Sequence, residues 1–385
     1  MSALLSHFDY FPATRVVFGI GALDRLGELA RDLGATRVLL VTDPGLEAVG
    51  HPQRARESLT KAGITVEIFD GVEENPTTRH VEAGVAVAQN FHPDCLVAVG
   101  GGSAMDCAKG INFLYTNGGR MHDYRGFGKA KQPMLPSIGV PTTAGTGSEA
   151  QSYALIADPE THIKMACGDR KAAFRIAILD PVVTTTQPKH VTADTGLDAM
   201  AHALESYVCT KRNVWSQMFA REAWRLLQAN FLRVLEHPHD LEARAAMQLG
   251  AHLAGQAIEL SMLGATHALA NPLTAHYGLV HGLAVSLMLP HVIRFNSTEV
   301  DNLYADLVAV TDLSCHATSH AGETLASHLE HLRQAAGLPS RLQEVGVNPA
   351  IIPLLAEEAA QQWTGKFNPR PVSFDDFVQL YQAAY

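Results

Sequence analysis

The chain has 385 residues, of which 47% are hydrophobic and 18% are charged. This composition is typical of a folded globular protein, and the length exceeds what one ordinary hydrophobic core needs, so we expect two domains. The formal net charge of −10 argues against nucleic acid or an anionic membrane as a partner, because both bind basic surfaces. A small-molecule enzyme fits this charge better.

Cysteine usage and the N-terminus indicate the cellular compartment. The cysteines are scattered, odd in number and free of Cys-x-x-Cys spacing, which predicts reduced, buried side chains. The first residues lack the basic start and apolar run of a secretory signal, and no later segment is long enough to cross a membrane. We therefore expect a cytoplasmic protein with no membrane partner. The cysteines are Cys95, Cys107, Cys167, Cys209 and Cys315.

The first half of the chain alternates between apolar bursts and helical patterns. The bursts predict strands that are buried on both faces, and the helical patterns at 22–33 and 78–90 predict covering helices. Such alternation predicts a mostly parallel sheet with helices on both sides, whose ligands bind beyond the carboxyl ends of the strands. The predicted strands span 37–42, 95–99, 137–140 and 175–179.

The pattern changes after Pro181, where long amphipathic stretches with few β-branched runs predict helices. Examples are 217–235, 241–262, 323–336 and 373–384. The expected fold class is therefore α/β plus all-α, with an N-terminal parallel-sheet domain at 1–185 and a C-terminal helical domain at 186–385.

Two glycine-rich loops follow predicted strands. Gly100-Gly101-Gly102-Ser103 precedes a helix, where glycines let the backbone approach a pyrophosphate and the helix N-terminus offers unpaired N–H groups. The segment from Pro141 to Glu149 contains hydroxyls and two glycines, which suit phosphates and ribose. The first loop alone is equally compatible with a ligand-free turn. Two of them at successive strand ends favour a bound dinucleotide.

Asp43 directly follows the strand predicted at 37–42. A carboxylate there can accept hydrogen bonds from ribose hydroxyls and would repel a 2′-phosphate, which favours NAD over NADP. Asp43-Pro44-Gly45 is also good turn chemistry, so a purely structural role for Asp43 stays open.

The stretch from Gly196 to His281 gathers one carboxylate and three imidazoles at spacings that can close around one divalent metal. Asp198 and His202 are four positions apart, so on a helix they share one face and can bind one ion. An isolated Asp-x-x-x-His is more often a helix-surface pair than a metal site. The glycine-rich loops upstream and a second histidine pair downstream favour the metal.

That second pair requires a turn of the chain. His267 and His281 would lie roughly 21 Å apart on one straight helix, too far to share a cation. The chain must fold back between them, where Pro272 and Gly278 are residues that break or end helices. One Asp and three His suit iron(II) or zinc.

Six blocks of the sequence carry a resemblance to a known family. They are Gly100-Gly101-Gly102-Ser103-x-x-Asp106-x-x-Lys109, the segment from Pro141 to Glu149, Leu179-Asp180-Pro181, Gly196-x-Asp198-Ala199-x-x-His202-Ala203-x-Glu205-x-Tyr207, His267-Ala268-x-x-x-Pro272-Leu273, and His281-Gly282-x-Ala284 followed by Leu289-Pro290-His291-Val292. Together they resemble the iron-containing (group III) alcohol dehydrogenase family over nearly the whole chain. The resemblance implies an N-terminal dinucleotide-binding domain, a C-terminal helical metal-binding domain and a metal in the cleft between them.

The resemblance also assigns residues. The implied metal ligands are Asp198, His202, His267 and His281, and the family's carboxylate at the position of Asp43 goes with a preference for NAD. The implied cofactor contacts are Asp43, Asn75, Gly101, Gly102, Ser103, Asp106, Thr142, Thr143, Thr146 and Lys164.

One position departs from the family's pattern. Many members have a histidine four residues after the third ligand, where it can meet the substrate and pass a proton, whereas this chain has Asn271. Asparagine can hydrogen-bond a hydroxyl but cannot exchange a proton near neutral pH. His276 is the nearby candidate for proton exit, with a structural role as the alternative. With His267 and His281, these are the residues that we assign to catalysis.

The prediction that follows is a metal-dependent, NAD-linked alcohol dehydrogenase or aldehyde reductase acting on a small alcohol or aldehyde. Three alternatives stay open: an oxo-acid reductase resembling maleylacetate reductases, a lyase resembling dehydroquinate synthase that uses NAD and a metal, and a structural or sensory protein without turnover. We also expect a homo-oligomer, and residues 9–18 are a candidate edge strand for pairing with a second subunit.

Overall fold

A computed structural model of the chain describes residues 8–161, 164–313 and 320–385. The chain divides into two compact units, one of Phe11–Gln187 and one of Pro188–Tyr385 together with the segment that ends at Tyr10. The division lies close to the boundary predicted after residue 185, but residues 8–10 belong with the helical unit. The ring of Tyr10 stacks on Trp215 of that unit, with ring centroids 4.8 Å apart.

A six-stranded, all-parallel sheet forms the centre of the first unit, in the order β1-β9-β6-β4-β2-β3. Its strands are β1 (Arg15–Phe18), β2 (Arg37–Val41), β3 (Thr65–Phe69), β4 (Cys95–Gly100), β6 (Ser137–Pro141) and β9 (Ile176–Leu179). The four predicted strands and the parallel sheet are confirmed. β1 lies within residues 9–18, the candidate edge strand, and it is an edge strand of this sheet. β3, at the opposite edge, was not predicted, because burial is incomplete there and the apolar signal is weaker.

Both faces of this sheet are covered. Val38 and Leu40 of β2 belong to one apolar cluster, whereas Leu39 and Val41 belong to another, because successive side chains of a strand point to opposite faces. The covering helices are α1 (Leu26–Asp32), α3 (His51–Lys61), α4 (Thr78–Phe91) and α5 (Gly102–Asn117). A short helix, α2 (Pro44–Glu47), follows β2.

A second, three-stranded sheet of the first unit was not predicted. It consists of β5 (Gly126–Phe127), β7 (Tyr153–Ala157) and β8 (Lys164–Gly168), in the order β5-β8-β7. Two of its strands are hard to recognise, because β5 has only two residues and β8 is poor in β-branched and aromatic side chains.

All the described regular elements of the second unit are helices, as predicted. Its helices are α6 (Lys189–Val208), α7 (Val214–Glu236), α8 (Leu241–Glu259), α9 (Ala265–Tyr277), α10 (His281–Ala309, kinked at Val300), α11 (Ala321–Ala335), α12 (Ile352–Gln361) and α13 (Phe374–Ala383). No helix in the described part of the chain combines the length and the hydropathy needed to cross a membrane.

The turn between α9 and α10 is confirmed, but only one of the two predicted breakers forms it. Gly278 ends α9 in the left-handed conformation, with φ of 62°, as glycine commonly does at a helix C-terminus. Pro272 lies inside α9 and does not break it. The chain therefore folds back over Gly278 to Val280 before α10 begins at His281.

The cysteines with described positions are buried and form no disulfide, as the sequence predicts. Burial raises the pKa of the Cys95 thiol to about 12, so this thiol is unreactive near neutral pH. Cys315 lies outside the described residues. The others are Cys107, Cys167 and Cys209.

Candidate active site

Helix α6 supplies two of the predicted metal ligands. Asp198 and His202 are one turn apart on the same face, and His202 Nε2 lies 3.5 Å from Asp198 Oδ1. Both side chains are buried, because α7, α8 and α10 pack against α6 along most of its length. The helix therefore presents a carboxylate and an imidazole together in a protein interior.

The remaining two ligands come from the helices on either side of the Gly278 turn. His267 lies in the first turn of α9, and His281 is the first residue of α10. Their Nε2 atoms lie 3.5 Å and 4.0 Å from Asp198 Oδ1. Potential ligand atoms of Asp198, His267 and His281 all lie within 4.8 Å of one another. The His202 ring stacks on that of His267, with centroids 4.9 Å apart.

The residues of this cluster fit a divalent cation. Asp198 Oδ1 and His267 Nε2 are buried and lack a hydrogen-bond partner, an arrangement that is costly unless another group binds both atoms. A carboxylate oxygen and imidazole nitrogens are ligand types that iron(II) and zinc accept. The His281 side chain is 25% exposed, whereas those of Asp198 and His267 are each 5% exposed, so solvent reaches the cluster on the His281 side.

The electrostatics of the cluster also favour positive charge. Burial raises the pKa of Asp198, but the neighbouring imidazoles of His202, His267 and His281 outweigh this and hold it below its usual range. Burial lowers the pKa of His267, but the carboxylates of Glu205 and Asp198 raise it overall. Two buried carboxylates beside three imidazoles thus stabilise a cation at this place.

Glu205 is a residue that the sequence analysis did not assign to the site. It lies on α6 two turns after Asp198, and its Oε2 is 2.5 Å from His267 Nδ1. A carboxylate behind a ligating imidazole is a common arrangement at metal sites. The signal was present in the sequence, because Glu205 is part of the block Gly196 to Tyr207, three residues after His202.

The predicted cofactor residues cluster separately, at the carboxyl ends of neighbouring strands. The segments that follow β3, β2, β4 and β6 carry all of them except Lys164, the first residue of β8, and these four strands are adjacent in the sheet. Gly102 opens α5 and packs against Thr146, where an added Cβ would lie 2.6 Å from Thr146 Cγ2. Gly101 precedes α5 and has no side chain to cap the helix. The first N–H groups of α5 can therefore donate hydrogen bonds to a phosphate. Thr142, Thr143 and Ser103 lie in the same two loops.

The surroundings of Asp43 are compatible with both roles that the sequence left open. Its Oδ1 accepts a hydrogen bond from Leu46 N at 3.2 Å and caps the short helix α2. Its Oδ2 faces Gly100, 3.4 Å from where a Cβ would be. Partial burial raises the pKa of this carboxyl group. One oxygen therefore has a structural role, and the other borders the glycine-rich loop.

Two more predicted cofactor residues, Asn75 and Lys164, lie close to each other. A third, Asp106, forms hydrogen bonds within the protein. Lys164 Nζ lies 3.5 Å from Asn75 Oδ1, although 89 positions separate them. Asp106 accepts hydrogen bonds from Ser148 Oγ at 2.5 Å and Leu155 N at 3.2 Å, using both carboxylate oxygens. Its burial and these bonds indicate that Asp106 holds the second loop in place.

The two candidates for proton transfer have different surroundings. Asn271 lies one turn after His267 on the same face of α9, and its amide donates a hydrogen bond to Gln362 at 3.0 Å. His276 pairs with Glu358 at 2.9 Å on a partly exposed surface. It lies nine residues after His267, or roughly 13 Å along the helix. The geometry argues against His276 as a proton carrier at the cluster.

Comparison with known proteins identifies the family of this chain. A model of the family described as iron-containing alcohol dehydrogenase matches residues 13–181, and the model of the C-terminal region of that family matches residues 192–385. The chain belongs to the iron-containing alcohol dehydrogenase family. The family uses NAD and a metal.

Individual members of the iron-containing alcohol dehydrogenase family match over the full chain. A 1,3-propanediol dehydrogenase of Klebsiella pneumoniae is 34% identical, over 98% of this chain and 99% of its own. An NAD-dependent methanol dehydrogenase of Bacillus methanolicus is 33% identical with the same coverage. A solved structure of a 1,3-propanediol oxidoreductase is 33% identical and superimposes with a TM-score of 0.96, over 99% of this chain and 100% of its own.

Proposed function

We propose that this protein is an NAD-linked, metal-dependent oxidoreductase that interconverts a small alcohol and its aldehyde. The observation that carries the proposal is the convergence of Asp198, His202, His267 and His281, whose three Nε2 atoms lie within 4.0 Å of Asp198 Oδ1. We propose these four as the metal ligands. Iron(II) is the preferred ion because the family is described as iron-containing, and the same ligands accept zinc.

Substrate class follows from the relatives and from local charge. The relatives cited above are named for methanol and 1,3-propanediol, both small neutral alcohols. The charges that lower the pKa of Asp198 come from imidazoles. An oxo acid or the anionic substrate of a lyase would need lysine or arginine side chains at this place. A neutral alcohol or aldehyde therefore fits better than the alternatives.

The chain's own residues bind and orient the reactants. A bound cation would polarise the substrate oxygen, and NAD would accept the hydride. The loops after β4 and β6 would hold the pyrophosphate, Asp43 the ribose, and Asn75 with Lys164 the rest of the cofactor. Asn271, whose amide is held by Gln362, can accept a hydrogen bond from a hydroxyl through Oδ1 but takes no proton, so we assign proton exit to water.

The proposal also covers the cellular compartment, the partners and the oligomeric state of the protein. Buried, unpaired cysteines and a net charge of −10 support a cytoplasmic protein whose partners are neither nucleic acid nor membrane. We propose a homo-oligomer, which can assemble through the free edge of β1.

The proposal is tested by substituting one ligand. His267→Ala should lose bound metal, and turnover should fall by at least about 100-fold, because even residues behind the ligands typically affect metal sites 10- to 100-fold. Metal content is measured by elemental analysis after loading with Fe²⁺ or Zn²⁺, and turnover by NADH absorbance with primary alcohols.

His276→Gln is the matched control on the same helix. It should retain both metal and turnover, because His276 pairs with Glu358 at the surface. Full activity of metal-free His267→Ala would remove the metal from the mechanism. Binding of metal and NAD by the wild-type protein without NADH formation from any alcohol would favour the lyase or the sensory alternative.

A further inference from the structure

We infer that Glu205 is a positioning residue that fixes the His267 ring for metal binding and holds the start of the helix that carries it. The inference rests on the proposed function, because it concerns how this chain presents one of the proposed ligands. Glu205 is on α6, the helix that also carries Asp198 and His202. One helix would then control three of the four ligands.

The contact between Glu205 and His267 determines which ring nitrogen faces the cluster. Glu205 Oε2 lies 2.5 Å from His267 Nδ1, and both side chains are buried. An ionised carboxylate only accepts hydrogen bonds, so Nδ1 must carry the hydrogen. A cation can then bind only through Nε2, once this nitrogen has lost its hydrogen, and Nε2 lies 3.5 Å from Asp198 Oδ1. Glu205 therefore selects the tautomer that can bind a cation at Asp198.

The second oxygen of Glu205 fixes the backbone on which His267 stands. Glu205 Oε1 accepts a hydrogen bond from Thr266 N at 2.7 Å, in the first turn of α9. The residue before this helix is Gly264, which has no side chain to cap it. Asn368 Oδ1 accepts the neighbouring bond, from Ala265 N at 3.2 Å. The start of α9 is thus capped from outside, and one of the two caps is Glu205.

Gly264 shows how closely this cap is packed. A Cβ at position 264 would lie 2.9 Å from Asn368 Oδ1 and 3.0 Å from Glu205 Oε1. Neither oxygen can move without losing its bond to α9, so a larger residue at Gly264 would displace the cap. The close approach indicates that the position of the Glu205 carboxylate is set by packing as well as by charge.

The test replaces one oxygen of Glu205 at constant size. In Glu205→Gln the amide offers a single acceptor oxygen, which cannot serve both Thr266 N–H and His267 Nδ1–H. An NH₂ group facing Nδ1 would favour the other tautomer, with the hydrogen on Nε2. We expect Zn²⁺ affinity, measured by competition with a chromogenic chelator, to fall roughly 10- to 100-fold, and Glu205→Asp to recover part of the loss. Unchanged Zn²⁺ affinity in Glu205→Gln would overturn the inference.

Asn368→Ala is the matched control, because it removes the other cap of α9 without touching His267. It should lower the thermal unfolding temperature of the metal-free protein and leave Zn²⁺ affinity unchanged. If it weakens Zn²⁺ binding as much as Glu205→Gln does, loss of the cap explains the effect and the role assigned to the His267 contact is overturned. NAD binding, followed by fluorescence, should be the same in all three variants.

A second readout reports the ring directly. In metal-free protein labelled with ¹⁵N-histidine, and at a pH high enough for the His267 ring to be neutral, the His267 signals should show hydrogen on Nδ1 in the wild type and not in Glu205→Gln. These signals are assigned by their loss in His267→Ala. The same tautomer in both proteins would contradict the inference. If wild type and His267→Ala bind Zn²⁺ equally well, the proposed metal site itself fails. If His267→Ala loses Zn²⁺ binding but Glu205→Gln binds Zn²⁺ as well as the wild type does, the proposed metal site stands and only the inference about Glu205 fails.

Discussion

Asp198 Oδ1 is the atom around which the candidate site is arranged. Three imidazole Nε2 atoms lie within 4.0 Å of it. They belong to His202 on α6, His267 on α9 and His281 on α10. The atom is buried and has no hydrogen-bond partner, so its desolvation must be offset by nearby positive charge, which a bound cation would supply. The chemistry of the site therefore depends on single atoms placed to within about 1 Å, as metal sites require.

Cofactor preference is a second property that one side chain can control. Asp43→Ser should shift the preference from NAD towards NADP, because it removes the charge that repels a 2′-phosphate. Serine is also a good helix cap, so the hydrogen bond to Leu46 N can be kept and stability should change little. We expect kcat/KM for NADP to rise at least about tenfold, a change of about 1.4 kcal/mol.

The control for this substitution is Glu47→Gln, which removes a carboxylate from the same short helix α2. Glu47 hydrogen-bonds Gln53 rather than facing the glycine-rich loop, so the cofactor preference should not change. Steady-state kinetics with both cofactors measures the ratio. An unaltered ratio in Asp43→Ser would mean that Asp43 acts only as a helix cap.

Helix α9 shows how a ligand-bearing element is held by others. Its N-terminus is capped by Glu205 and Asn368, its C-terminus ends at Gly278, and it continues through Pro272. An internal proline removes one backbone hydrogen bond and costs about 3 kcal/mol in an isolated helix, so packing must stabilise α9 in place. Tyr381 of α13 contributes, because its hydroxyl donates to Leu269 O at 2.6 Å.

The contact between α10 and α11 predicts a dependence of stability on pH. Arg294 of α10 forms a two-bond pair with Glu323 of α11, both bonds at 2.8 Å, and also pairs with Glu330. The bonds to Arg294 lower the pKa of Glu323 to about 2. A carboxyl group with a depressed pKa stabilises the fold above its unfolded-state pKa and loses this contribution as pH falls towards its folded-state pKa.

Glu323→Gln should therefore destabilise the metal-free protein near pH 7 by about 1 kcal/mol or less, since the pair is partly exposed and screened by solvent. The difference in unfolding temperature between variant and wild type should shrink between about pH 4.5 and about pH 2 as Glu323 becomes protonated. Thermal unfolding across this pH range measures it. A difference that stays constant with pH would contradict the role assigned to the ion pair.

The exposed edge of the large sheet bears on the assembly of the whole protein. β1 pairs with β9 on one side, and no described strand pairs with its other side. Val16 and Phe18 on this strand are 42% and 46% exposed. An apolar strand with a free edge is a common site of pairing between subunits. This supports the proposed homo-oligomer, with the interface at residues 15–18 rather than over the whole segment 9–18.

Val16→Pro tests this interface. The N–H groups of Arg15 and Gly19 point towards β9, so by alternation that of Val16 points to the free edge. Proline at position 16 removes only an outward donor and is tolerated on an edge strand. Light scattering after gel filtration should show a multimer for the wild type and a smaller species for Val16→Pro, with Val16→Thr as control. Equal masses would place the interface elsewhere.

The sequence by itself determined the fold class, the two glycine-rich loops and the ligand set that we propose. Runs buried on both faces, as at Cys95–Gly100, identify parallel strands without any tertiary information. Glycines after a strand and the i, i+4 spacing of Asp198 and His202 are local signals too. The family resemblance added Asn75 and Lys164, which no local pattern indicates.

Only the tertiary structure decided how distant residues meet. It showed that Glu205 contacts His267, that Asp106 is used internally and that His276 faces Glu358 instead of the cluster. These facts depend on contacts between residues 42 to 82 positions apart, and local spacing carries no information about them. Local sequence sets which helix or strand forms, whereas the packing of those elements sets which atoms face each other.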